Sequence, residues 1–243
     1  MKLEVCVAEP DSLAAAVAGG ADRIELCAAL ELGGLTPSPG MMAAAAAAPV
    51  PVYALIRPRA GDFLFDAREV EVMLRDIDAV RAAGLAGVVL GASRPDGRLD
   101  LHLLERLIGH ARGLGTTLHR AIDLVPDLAA AVEAAVGLGV ERVLTSGGVR
   151  TAPEGMDNLA LAHATANGRL SIMAGAGLRP DNLGPLLARG VVDEIHGSCA
   201  GPGRPSSAAA ARLGVAGPTR RTTSVEVVQA MKAVMRRMAP GRP

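Results

Sequence analysis

Strict alternation constrains this chain more than any other feature of its sequence. Eight short strand-like runs recur from end to end: Leu3–Val7, Arg23–Leu26, Val52–Arg57, Gly87–Leu90, Thr116–His119, Arg142–Thr145, Ser171–Ala174 and Asp193–His196. Alanine-rich helical stretches lie between most of them, near 11–18, 66–83, 100–114, 127–137, 154–167 and 181–188. A strand–helix–strand repeat implies parallel pairing, because the helix carries the chain back to the starting edge of the sheet. Eight units in 243 residues predict an α/β fold, a single TIM-type (β/α)8 barrel domain over 1–243. A doubly wound sheet is the alternative, weakened because no G-x-G-x-x-G follows the first strand.

Local signals agree with the alternation. Asp11, Asp66, Asp100, Asp127 and Asp181 stand at expected helix starts, where a carboxylate accepts orphan N–H groups. Glycines end the helices. The segment 199–222 is rich in Gly, Pro, Ser and Ala and predicts a flexible loop over the active face. Thr223 and Glu226 then fit a capping box for a last helix carrying Val225, Val228, Met231, Met235 and Met238 at helical spacing.

Composition narrows the function. Net charge is zero, and Tyr53, Phe63 and Phe65 are the only aromatic residues. That argues against nucleic acid as a partner. The charge is uneven, with eight Lys/Arg against one acid in 199–243, which reads as a solvated basic tail and helix. No apolar run reaches the roughly 18 residues of a membrane span. The N-terminus lacks the shape of a signal peptide, so a cytoplasmic location is expected. Three cysteines do not make a disulfide scaffold, and the lack of C-x-x-C or C-x-x-x-x-H spacing argues against a closed structural zinc site.

Strand alternation also sorts the side chains. Placing Leu3, Val5, Val7, Ile24, Leu26, Ile56, Leu118 and Ile195 against the helices turns Glu4, Cys6, Glu25, Cys27, Arg57, His119, Glu194 and His196 inward. Barrel interiors are usually filled by branched aliphatics. Buried charges cost several kcal/mol each unless paired, and Arg57 or Arg120 are the expected partners of the glutamates. The reading is a functional ring at the strand tips. Glu25 or His119 would be the general acid/base, with Arg57, Arg120, Asp123 and His196 completing the catalytic set. Arg59, Ser146, Gly147, Gly148, Gly175, Gly177, Gly197 and Ser198 would hold the phosphate or other anion of a small substrate.

The stretch from Ala21 to Leu30, A-D-R-I-E-L-C-A-A-L, resembles the CutC family, as does Leu32–Ser38. So do Ile56–Phe63, Leu118–Asp123, Leu144–Gly148, Met173–Gly177 and His196–Ser198, in order along the chain. The resemblance implies a cytoplasmic TIM-type barrel that forms a homodimer. It also implies a role in copper homeostasis, with Cu(I) held by Cys6 and Cys27. Two thiolates suit that soft ion. The chain departs from the family's pattern at Cys199, at Ile122 and Leu124, and in the long arginine-bearing loop that follows. The competing reading is a barrel enzyme acting on a small anionic or phosphorylated substrate.

Overall fold

The computed structural model describes residues 1–238. Its eight main strands are β1 (Lys2–Val7), β2 (Arg23–Leu26), β3 (Val52–Leu55), β4 (Gly87–Leu90), β5 (Gly115–Leu118), β6 (Arg142–Thr145), β7 (Ser171–Ala174) and β8 (Glu194–Gly197). All pair in parallel with their sequence neighbours, and β8 pairs back onto β1, closing the barrel. The expected α/β barrel is the observed one. Helices α1 (Pro10–Gly19), α2 (Pro39–Ala45), α3 (Ala67–Ala82), α4 (Leu101–His110), α5 (Leu128–Leu138), α6 (Met156–Ala166) and α7 (Leu183–Ala188) form the outer layer.

Boundaries moved where local chemistry overrode the pattern. The third strand stops at Leu55, two residues before Arg57. Helix α4 ends at His110, short of the expected Leu114. Helix α2 lies outside the helical stretches expected from the sequence; Pro39 opens it, and the Ser38 hydroxyl caps it by accepting from Met41 N–H. Asp66 makes a full capping box with Glu69, and Asp100 and Asp127 each cap a helix. Asp11 instead lies inside the first turn of α1, and Asp181 precedes α7 without capping it.

The segment 199–222 is more ordered in outline than its composition suggested. It holds a two-residue ribbon, β9 (Arg204–Pro205) with β10 (Thr219–Arg220), around the short helix α8 (Ala208–Arg212). Helix α9 (Val225–Met238) then packs against α1 and α7, burying Val228, Met231, Val234 and Met235. Its cap is Ser224 rather than Thr223. The Ser224 hydroxyl accepts from Val227 N–H at 3.3 Å, while Thr223 Oγ1 donates to the carbonyl of Ser198.

Two apolar regions result. Leu3, Val5, Val7, Ile24, Leu26, Ile56, Leu118 and Ile195 join the large core between sheet and helices. Cys6, Cys27, Tyr53, Leu55 and Val89 make a small separate cluster inside the barrel. The inside–outside sorting of the strand residues therefore holds.

Candidate functional site at the barrel mouth

The barrel floor is charged. Arg23 on β2 binds Glu4 on one side and Glu194 on the other, and all three are buried. Arg142 lies 3.4 Å from Glu194, donates to Thr117 Oγ1 at 2.8 Å and reaches Glu141 at 2.9 Å. Tyr53 donates to Glu141 and lies beneath both guanidinium groups. Arg57 and Arg120 are thus not the partners of the glutamates. The partners sit at the bottom of the strands, where Arg23 shares the inward parity of Glu25. That parity was the signal by which the sequence could have named it.

Above the floor, strand register sets a second tier. Glu4 is level with His196 on β8, and Cys6 is level with Glu25 on β2. His196 Nδ1 is 2.9 Å from Glu4 Oε1, and its Nε2 is 3.7 Å from Glu25. Burial alone would raise the Glu4 carboxyl, but the His196 hydrogen bond and the Arg23 charge outweigh it and hold Glu4 at about 2. His196 is pushed well above its ordinary value: burial opposes its charge, yet Cys6, Glu4 and Glu25 around it favour the imidazolium. Glu25 moves the other way. Burial pushes it up, and the neighbouring Glu4 adds to this against the pull of His196. Cys6, Glu25 and His196 each place a ligand atom within 4.8 Å of the other two. Cys27 lies outside that group, and its backbone N–H meets Val7, one register step above Cys6. Burial, with the charge of Glu25 adding, pushes the Cys27 thiol well up.

The third part faces this cluster. His119 is buried, and its Nδ1 accepts from Ala121 N–H at 3.1 Å. Burial, with Arg57 nearby, lowers it to about 3, so the ring is neutral and its proton sits on Nε2. That Nε2 has no partner among the described residues. Arg57 is also buried. Its terminal nitrogens donate to the carbonyls of Leu32, Gly34 and Gly61, while its Nε has no partner among the described residues. Both groups pack on one ring, Phe63, at 4.6 Å for His119 and 5.0 Å for Arg57. Gly91 makes this possible: a Cβ there would lie 2.3 Å from the imidazole.

Glu25, Cys6, Cys27, Arg57, His119, Arg120, His196, Gly177, Gly197 and Ser198 line one cavity of about 680 Å³ at the C-terminal end of the strands. Several expected members serve the scaffold instead. Asp123 accepts from Thr145 Oγ1 and from the N–H groups of Ser146 and Gly148, and it pairs with Arg120 at 2.7 Å. The Gly147 N–H goes to Thr145 Oγ1. The 146–148 tip therefore has no N–H left for an anion, and it does not line the cavity. Gly175 is spent on close packing with Leu144 and His196, and its N–H binds Thr145. Arg59 ties its own loop to Glu69, Asp62 and Leu64.

Comparison with known proteins follows the same lines. The CutC family model matches residues 1–201. The family protein CutC of Sinorhizobium medicae (strain WSM419) is 59% identical over 237 residues, covering 98% of this chain and 97% of that one. The crystal structure of a CutC from Streptococcus agalactiae that carries a copper-homeostasis name superposes with a TM-score of 0.77 at 28% identity. It covers 82% of this chain and 99% of its own. A thiamine phosphate pyrophosphorylase from Pyrococcus furiosus, with a TM-score of 0.62 at 15% identity over 98% of this chain and 97% of its own, shares the fold alone.

Proposed function

The chain belongs to the CutC family, and we propose that its barrel mouth is an enzyme site that binds a small anionic carbonyl compound and moves a proton on it. One observation carries this reading. Two N–H donors of cavity-lining residues, His119 Nε2 and Arg57 Nε, are closed off from solvent and have no partner among the described residues. An unmet buried donor costs about 1–3 kcal/mol, a cost that an oxygen acceptor removes once a small side-chain shift opens the donor to the cavity. Glu25, a buried carboxylate held above its ordinary value, lines the same cavity and is the base. In the step proposed, Glu25 takes a proton from the carbon beside the carbonyl. The C–H electron pair becomes a C=C bond, and the carbonyl oxygen takes the negative charge against His119 and Arg57. Return of that proton from Glu25 to the same carbon restores the C=O bond and completes the turnover as hydrogen exchange. A neutral imidazole donor suits this work, because it polarises the oxygen without giving up its proton.

Glycolate titration tests the oxyanion wall. It should shift the His119 Nε2 nitrogen resonance, and His119→Phe should weaken binding about tenfold or more, the worth of one hydrogen bond to a charged group. Equal binding by the wild type and His119→Phe overturns the reading. The proposal includes a cytoplasmic homodimer, which sedimentation and fractionation would check. Among the described residues no helix is long and apolar enough to cross a membrane.

A copper reading has one observation in its favour, the Cys6–Glu25–His196 group. The streptococcal relative's name points the same way. The donor set fits Cu(I) poorly: one sulfur, one hard carboxylate and one imidazole whose other nitrogen is held by Glu4. Cys27 is outside the group, so the two-thiolate arrangement does not form in this geometry. Anaerobic Cu(I) titration decides it. Copper bound at about one ion per chain and lost in Cys6→Ser would support the reading. Unchanged binding in the Cys6→Ser/Cys27→Ser double variant would remove it.

A further inference from the structure

The family model ends at residue 201, and the chain next builds a strap beside the mouth, which reaches the cavity through Arg221. The base of the strap is fixed. Ala200 and Thr223 form an antiparallel bridge, Gly201 N–H binds the carbonyl of Thr222, and Ser224 N–H binds the carbonyl of Cys199. Arg221 emerges from this zipped base, and its Nε reaches the carbonyl of Gly201 at 3.5 Å. Arg221 lines the mouth cavity and has no carboxylate partner among the described residues. Its neighbour Arg220 points elsewhere and is paired with Glu9. Arg179, also without a carboxylate partner among the described residues, lines the same wall, together with Asp181, Gly177 and Ser198. None of the hydrogen bonds among the described residues uses the N–H of Gly177 or Ser198. The opposite wall holds the unpartnered donors of His119 and Arg57.

The cavity therefore offers unpaired N–H donors at two separated places. A single oxyanion satisfies one of them. We propose that the substrate is two-ended, a phosphate monoester of a small carbonyl compound, and that Arg221 selects it by gripping the phosphate at the wall formed by β7 and β8. The carbonyl oxygen then reaches His119 and Arg57. Guanidinium groups match phosphate geometry through paired N–H donors, and the free backbone N–H groups add to them. This inference rests on the oxyanion wall proposed above and adds the second subsite and its reader.

Three probes separate the two ideas: glycolate, inorganic phosphate and 2-phosphoglycolate, each titrated by calorimetry into the full chain. 2-Phosphoglycolate should bind at least about tenfold tighter than either fragment, as two linked contacts do. Arg221→Met should weaken phosphate and 2-phosphoglycolate about tenfold or more and leave glycolate unchanged, while Arg220→Met stays within about twofold of wild type. The inference is overturned if 2-phosphoglycolate binds no better than glycolate, or if both arginine variants lose affinity equally, since that reports general charge. In either case, glycolate binding that still depends on His119 leaves the oxyanion wall standing. Failure of all three probes removes both.

Discussion

At the residue scale, the two inward histidines carry opposite protonation states within one barrel. His119 is neutral when folded and held at about 3, below its ordinary 6.5. Between these values the unfolded chain binds the extra proton, so stability falls as pH drops from about 6.5 toward 3. His196 is raised, so its contribution is complete below 6.5 and is lost as pH climbs through its folded value. Glu4, depressed to about 2, adds stability that disappears as pH falls from 4.5 toward that value. Thermal melts across pH should therefore show His119→Gln flattening the acid limb between about 6.5 and 3, and His196→Gln flattening the alkaline side. An unchanged acid limb in His119→Gln would show that His119 is not buried neutral. The floor ion pairs give a second outcome. Arg23→Met leaves Glu4 and Glu194 without their principal partner and should cost about 3–5 kcal/mol in urea unfolding.

Among elements, glycines decide how closely strands and helices meet the ring. Tyr53 fills the barrel floor because β4 and β5 offer Gly87 and Gly115 beside it. A Cβ at Gly87 would lie 2.2 Å from the Tyr53 ring. Gly19 plays the same part outside, where α9 lays Val228 against α1 and a Cβ would come within 2.5 Å. Gly19→Ala should loosen the α1–α9 contact and cost about 1–3 kcal/mol by overpacking. Gly20→Ala is a weaker control, strained by its φ of 91° but with open space around it. A larger loss at Gly20 than at Gly19 would count against close packing as the cause. The 146–148 tip shows why glycines in sequence mislead: Gly147 and Gly148 adopt positive φ to wrap Asp123, not a ligand.

Across the molecule, the strap and the last helix have separate duties. Helix α9 buries four apolar side chains and covers the seam between α1 and α7. Within 202–222 no described side chain is buried. Replacing 202–219 with a short flexible linker should therefore change stability by no more than about 1 kcal/mol. Removing 225–238 should abolish cooperative unfolding by circular dichroism. If linker replacement melts the barrel, the strap is a structural element and its role as reader of the substrate weakens.

The sequence by itself determined the barrel and its inside–outside order, because βα alternation and period-two burial are local and repeat eight times. It also named most of the mouth: Glu25, Cys6, Cys27, Arg57, His119 and His196 all line one cavity. Pairing was decided only in three dimensions. Which arginine meets which glutamate depends on register between strands distant in sequence, such as Arg23 with Glu194. The same register set Cys6 level with Glu25 and left Cys27 a step away. It consumed Asp123 and the 146–148 tip in internal hydrogen bonds. It also left Arg57 Nε and His119 Nε2 without a partner among the described residues, and an unmet donor is defined by every neighbour that fails to reach it.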